Sequence, residues 1–205
     1  MEFRWLKQES ADEAIVVFGG WAIGPEVFAH LEGPEDILFA SDYRDLRAGL
    51  PDLSGYQRVR LLAWSFGVAS YAHWQQGRAD PFAAKVAVNG SLQPVSRAAG
   101  IPPVTFRRTA ETLSLNSYQQ FLSHAFGAPQ PAQMLDVEAR RAELLAVEQR
   151  GDAPRLRLDR IWISGADRIF PPASLARAWA GQPVRRIEAP HVPFVQFTAW
   201  EELFQ

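Results

Sequence analysis

The chain contains no cysteine among its 205 residues. That single absence excludes disulfide frameworks, thiolate metal sites, iron–sulfur clusters and cysteine nucleophiles. An excess of positive charge is also missing: 21 Lys and Arg stand against 23 Asp and Glu, for a formal net charge of −2. No global basic field exists to hold the phosphates of a nucleic acid. No stretch approaches the ~18 consecutive apolar residues of a membrane span. The amino terminus, MEFRWLKQES, is charged throughout and lacks the apolar core of a signal peptide. These absences predict a soluble, cytoplasmic protein that engages neither nucleic acid nor membrane. What the chain does have is apolar material, with 47% hydrophobic residues, seven Trp, 15 Pro and 14 Gly. That suffices for one well-packed domain rich in turns, spanning 1–205, and is too little for two.

Short apolar runs of strand length recur at 14–18, 36–39, 59–63, 85–88, 160–163 and 184–187, several of them followed by helical spacing. Such alternation predicts an α/β fold with a mainly parallel sheet. The first run ends in Gly19-Gly20, the third in Ser65 and the fifth in Gly165-Ala166-Asp167. Polar or permissive residues therefore collect at strand carboxyl ends, where open α/β sheets bind ligands. Between 90 and 158 the pattern changes to polar loops, with prolines at 94, 102, 103, 129, 131 and 154 and helical stretches near 118–126 and 136–150. This segment is far longer than an ordinary α/β connection and predicts a small, mostly helical cap insertion. Residues 92–160 hold nine basic and seven acidic side chains, against eight and 12 in 1–91 and four and four in 161–205. The cap is the one net-basic part.

The segment Leu62-Ala63-Trp64-Ser65-Phe66-Gly67-Val68 reads as a buried strand running straight into a helix, with Ser65 at the junction. That is the setting of a nucleophile elbow, usually G-x-S-x-G, in which a strained turn lifts a serine hydroxyl above the sheet. Here the first glycine is Ala63, small enough for the same packing. Read in isolation, A-x-S-x-G also describes a serine capping a helix, so the partner residues decide.

A serine alcohol needs a base to take its proton, and the base needs a carboxylate to orient it. Of four histidines, His30 sits in a helix-like stretch, His73 in the helix after Ser65 and His124 in the cap; His191 follows the last strand, between Pro190 and Pro193. His191 is the expected base, with the apolar 194–203 segment predicted as a helix behind it. Asp167, in Gly165-Ala166-Asp167, falls at the same sheet edge, and the order Ser65, Asp167, His191 is that of α/β-hydrolases. Asp42 and Asp45, after the second strand, compete for the acid role but break that order. Acyl transfer also requires donors for the developing oxyanion. The expected pair is the main-chain N–H of Phe66 and that of Trp21, in Phe18-Gly19-Gly20-Trp21. This chemistry calls for no metal and no cofactor.

Beyond the superfamily, Ser41-Asp42-Tyr43-Arg44-Asp45-Leu46, Leu53-Ser54-Gly55-Tyr56, Val88-Asn89-Gly90-Ser91 and Gly100-Ile101-Pro102 accompany the Phe18-Gly19-Gly20-Trp21 turn and the Ser65 segment. Together they resemble the BioG family of pimeloyl-[acyl-carrier protein] methyl ester esterases over nearly the whole chain. The resemblance implies a compact α/β-hydrolase that cleaves the methyl ester of pimeloyl-acyl-carrier protein in biotin biosynthesis and releases methanol. It places Ser65 as nucleophile, His191 as base, Asp167 as orienting acid, and Trp21 and Phe66 at the oxyanion. The motif assigns no substrate contacts. The cap arginines Arg107, Arg108, Arg140, Arg141, Arg150, Arg155 and Arg157 are candidates to meet an acidic carrier protein and its phosphopantetheine phosphate. The alternative is that Arg140 and Arg141 merely pair with Glu143 and Glu148 on a solvated helix face. Tyr43, Arg44 and Asp45 either build a structural ion pair near the active edge or touch substrate. A generic short-chain carboxylesterase or thioesterase, or a non-catalytic acyl-carrier-binding protein of this fold, remain the rival readings.

Overall fold

The computed structural model describes residues 1–205. Seven strands form one sheet: β1 (Glu2–Lys7), β2 (Glu13–Phe18), β3 (Asp36–Ser41), β4 (Arg58–Trp64), β5 (Ala84–Val88), β6 (Arg160–Ser164) and β7 (Val184–Ile187), in the spatial order β1-β3-β2-β4-β5-β6-β7. All neighbours pair in parallel except β1 with β3. The central strands are covered on both faces, so β2 and β4 read as nearly unbroken apolar runs; Ala14 to Phe18 and Leu61 to Trp64 are completely buried.

β1 departs from the expected strand set. Glu2-Phe3-Arg4-Trp5-Leu6-Lys7 alternates exposed and half-buried positions, as an antiparallel edge strand does. Phe3 packs edge-on against Phe18 and Trp74, at 6.0 and 6.1 Å between ring centres. The period of two is visible in the sequence, but the interleaved charges disguise it as a polar terminus.

Five helices complete the chain: α1 (Phe66–Gln75), α2 (Pro103–Glu111), α3 (Leu115–Phe126), α4 (Val137–Arg150) and α5 (Pro172–Ala178). No helix is long and apolar enough to cross a membrane. Three of them, α2 to α4, lie between β5 and β6. α2 was not expected, because Pro102-Pro103 reads as a breaker; proline at the first helical position is instead a start signal. α3 is closed by a capping box between Ser114 and Ser117 and ends on Gly127 at φ 72°, the left-handed position that favours glycine.

The 194–203 segment is not one helix. It forms two 3₁₀ turns, Phe194–Gln196 and Trp200–Phe204, because the intervening backbone pairs with Glu32: Glu32 N–H donates to Thr198 O at 2.9 Å and Trp200 N–H to Glu32 O at 3.0 Å. Those bonds replace the ones a helix would need.

β2 has β3 on one side and β4 on the other, so the chain reverses its direction of travel across the sheet between them. The carboxyl ends flanking this switch point, Gly19-Gly20-Trp21 after β2 and Ser65 after β4, frame the crevice where such sheets bind ligands. At the opposite end of β4, buried Arg60 pairs with Glu35, with Glu201 at 2.5 Å and with Glu13 at 3.3 Å. That cluster is remote from the crevice and ties the carboxyl terminus to the sheet.

Candidate active site

Ser65 sits between β4 and α1 at φ 58°, ψ −125°, a backbone conformation that costs an L residue about 1–3 kcal/mol. Its neighbours explain how the turn is tolerated. A Cβ on Gly67 would lie 2.1 Å from Phe18 O and 2.6 Å from Gly19 O, and one on Gly90 would lie 2.2 Å from Ser65 O. Both positions must be glycine for α1 and the β5 loop to close around the elbow. Ala63 pairs within the sheet with Phe18 and Ala87, where a methyl group fits.

The structure brings Ser65, His191 and Asp167 into a line. His191 Nε2 is 3.0 Å from Ser65 Oγ, and Nδ1 is 2.8 Å from Asp167 Oδ2. The other oxygen, Asp167 Oδ1, accepts the N–H groups of Ile169 at 2.7 Å and Phe170 at 2.9 Å. All three residues are at least 95% buried. Phe170 stacks on the imidazole with ring planes 10° apart, and the Trp64 ring lies 5.6 Å from it. An acceptor at Nδ1 selects the tautomer that leaves a lone pair on Nε2 for the serine proton, the arrangement of a base-activated nucleophile.

The His191 loop is held by side chains that the sequence analysis left without a role. Asn89, at φ 46°, donates through Nδ2 to His191 O at 2.9 Å and to Ser164 Oγ at 2.7 Å, and its Oδ1 accepts Ser164 N–H at 2.8 Å. Trp64 Nε1 adds a donor to the same His191 carbonyl at 3.2 Å, and Val192 N–H donates to Ala125 O at the end of α3. An Asn-Gly pair directly after β5 was the available signal, since asparagine tolerates positive φ and can bond backbone on both sides.

Beside Ser65 lies a cavity of about 310 Å³, lined by Trp21, Phe66 and Phe106 among its apolar walls and by Arg108, Arg168 and His124 among its polar ones. Phe66 N–H is the first of α1 and has no intrahelical acceptor. Trp21 N–H likewise has no acceptor in the protein. Two unpaired main-chain donors thus belong to residues that share a cavity with the serine hydroxyl. No group of three or more His, Asp and Glu side chains could hold a metal ion.

Of the other histidines, His124 lines the cavity, while His30 Nε2 contacts Phe194 O at 2.9 Å and His73 Nε2 contacts Gly151 O at 3.3 Å. The rival acids are also occupied. Asp45 pairs with Arg47 at 3.3 Å. Asp42 accepts Arg44 Nε at 2.8 Å and lies 3.3 Å from Arg140. The hydrogen bonds from Arg44 hold the Asp42 carboxyl down at about 2, against an ordinary 3.8. A depressed carboxylate contributes stability that is complete above its unfolded value and is lost as pH falls through the folded one. Replacing Asp42 by Asn should therefore lower the urea midpoint at neutral pH and flatten its decline between 3.8 and about 2. Midpoints measured across that range check this; an unchanged acid limb in the variant would refute it.

The seven insertion arginines do not share one environment. Arg107 pairs with Glu148 at 2.8 Å. Arg140 pairs with Glu143 at 2.6 Å as expected, but Glu143 is 1% exposed, so this face of α4 is packed and not solvated. Burial pushes the Glu143 carboxyl up, while Arg140 and the Tyr43 N–H pull it down. Arg141 turns to Glu138 and caps the carbonyls of Ala110 and Leu113 at 3.0 and 2.8 Å. Arg150 is half-buried, and burial lowers its pKa. Arg108, Arg155 and Arg157 are exposed and make no ion pair. Arg168, which was not anticipated, is exposed in the same way, beside Asp167 at the cavity.

The switch-point crevice, the elbow at Ser65 and the Asp167–His191–Ser65 line define an α/β-hydrolase. An esterase from Exiguobacterium antarcticum shares the fold, with a TM-score of 0.67 at 13% identity over 95% of this chain and 89% of its own. The chain belongs to the BioG family, described as pimeloyl-ACP methyl esterase, whose sequence model matches residues 1–203. The crystal structure of BioG from Haemophilus influenzae superposes with a TM-score of 0.89 at 30% identity, covering 100% of both chains. A malonyl-[acyl-carrier protein] O-methyltransferase from Bacteroides fragilis is 29% identical over 180 residues, 82% of this chain but 36% of that protein. This chain therefore corresponds to about a third of that relative's length.

Proposed function

We propose that this protein hydrolyses the methyl ester of pimeloyl-acyl-carrier protein through a Ser65 acyl-enzyme. Ser65 Oγ attacks the ester carbonyl carbon while His191 Nε2 takes its proton. The N–H groups of Trp21 and Phe66 donate hydrogen bonds to the developing oxyanion. Collapse breaks the carbon–methoxy bond, and His191 returns the proton to the leaving methanol. Water then attacks the acyl-enzyme, His191 again takes a proton, and Ser65 leaves with it, freeing the carboxylate of the pimeloyl chain. Asp167 orients the ring throughout.

The observation that carries this reading is the Asp167–His191–Ser65 line, 2.8 and 3.0 Å long in its two steps, beside a cavity in a chain of the BioG family. The cavity lies at the small end of ligand pockets, ~300–1,000 Å³, and suits a slender acyl chain. The relative from Bacteroides fragilis adds support, since its name couples a related segment to methyl transfer on a carrier-bound acyl group.

In this reading the insertion 90–158 is a cap over the crevice. Arg108 and Arg168 at the cavity, with Arg107, Arg155 and Arg157 nearby in sequence, are the cations for an acidic carrier and its phosphate; Arg140, Arg141 and Arg150 are committed to holding α4. Arg108→Ala combined with Arg168→Ala should lower kcat/KM for methyl pimeloyl-carrier about tenfold at low salt, and the difference should shrink as salt screens the charges. Hydrolysis of a small aryl ester should be unaffected. Equal loss on both substrates, or none that depends on salt, would favour a generic esterase. Restored biotin-independent growth of bacterial cells lacking their own methyl esterase tests the substrate itself; failure of an expressed, folded protein to restore it would remove the assignment.

A further inference from the structure

We propose that Tyr43 is a positioning residue that holds the Gly19-Gly20-Trp21 turn from behind, so that its main-chain donors stay aimed at the reacting carbonyl. This rests on the esterase reading above and adds a residue to it. Tyr43 is completely buried, and its ring lies parallel to that of Phe18, 2° apart. The hydroxyl donates to Gly19 O at 2.9 Å, with Ala40 O at 3.2 Å as a second acceptor. Gly19 N–H donates to the same Ala40 O at 3.0 Å. The Gly19 carbonyl is thus clamped, and because the peptide unit is planar, the Gly20 N–H is set on its opposite side.

The far end of the turn is tied to the same structure. Trp21 Nε1 donates to Arg140 O on α4 at 2.9 Å. One turn along α4, Glu143 accepts the Tyr43 N–H at 2.8 Å and Arg140 Nη1 at 2.6 Å. Tyr43, Glu143, Arg140 and Trp21 therefore form a closed loop of contacts that returns to the turn at both of its ends. In front, the turn abuts α1, where a Cβ on Gly67 would strike Gly19 O at 2.6 Å. A phenylalanine would keep the ring of Tyr43 in place; the hydroxyl adds the bond to Gly19 O, with Ala40 O as its second acceptor.

Tyr43→Phe tests this by removing one oxygen. With a small aryl ester, kcat should fall about tenfold with KM within about twofold, since small misplacement of a preorganised donor acts on the transition state and not on binding. Phosphonylation of Ser65 by a fluorophosphonate, which develops the same charge, should slow in parallel, and the pH profile of kcat should keep its shape. Hydrogen exchange at the amides of Gly20 and Trp21 should quicken while that of β2 does not. A role in stability alone would lower the thermal midpoint and leave kcat and the turn's exchange unchanged, and that result overturns the proposal while leaving the esterase reading intact. Absence of labelling in the unmodified protein would overturn both. Should Tyr43→Phe unfold at the assay temperature, Glu143→Gln carries the same test: it removes one of the two carboxylates that hold Arg140, leaving Asp42 at 3.3 Å, and should lower kcat about threefold with KM unchanged, and an unaltered kcat overturns the proposal.

Discussion

Ser65→Ala is expected to lower ester turnover by about 10⁴-fold or more while leaving the thermal midpoint nearly unchanged. Alanine keeps the Cβ, so the packing of Gly67 and Gly90 around the elbow is undisturbed, and His191 retains its bond to Asp167. What disappears is the only oxygen within 3.0 Å of Nε2 that could become acyl-bound. Residual turnover would come from the Trp21 and Phe66 donors and from binding. A companion variant separates chemistry from strain. Ser65→Gly should be equally inactive yet more stable by about 1 kcal/mol, because glycine adopts positive φ without penalty. Steady-state kinetics with urea titrations of both variants check this pair; turnover within tenfold of the parent in Ser65→Ala would sink the nucleophile assignment.

Asp167→Asn, a change of one atom, should cost about 10⁴-fold in kcat. The reason lies in the two main-chain N–H groups, Ile169 and Phe170, that bind Oδ1 at 2.7 and 2.9 Å. They require an acceptor, so the carboxamide oxygen must stay with them and the NH₂ must take the place of Oδ2, 2.8 Å from His191 Nδ1. An NH₂ only donates. Nδ1 must then accept, the ring proton moves to Nε2, and Nε2 faces Ser65 as a donor and not as a base. The imidazole stays in place but carries its proton on the wrong nitrogen. Kinetics together with the nitrogen-15 shifts of His191 test the argument: near-normal kcat, or a ring still protonated at Nδ1, would refute it.

Six of the seven strands could be read from their apolar runs, because strands buried on both faces carry a dense, local signal. β1 carried the weaker alternating signal of an edge, and α2 hid behind Pro102-Pro103. The segment after Phe194 was misread because a helical composition cannot show that Glu32, far away in the chain, claims its backbone bonds. The candidate site followed the same division. Ser65, Asp167 and His191 could be placed at one sheet edge because parallel strands all present their carboxyl ends to the same side. That Asp167, and not Asp42, lies against His191 is a matter of geometry: Asp167 Oδ2 is 2.8 Å from the imidazole, whereas Asp42 is held by Arg44 and Arg140. Asn89 had no role before the structure, and Tyr43 stood between a structural ion pair and a substrate contact, since the hydrogen bonds of both reach backbone that is distant in sequence.

The order of the residues thus carries the inventory of chemistry and the side of the sheet on which it falls, for both depend on periodicity and on the polarity of strands. Which arginines are free and which are spent on α4, and which carbonyl each buried donor reaches, follow from approaches of a few ångströms between elements scores of residues apart. Hydrogen bonds and ion pairs depend on those separations, and no local pattern encodes them.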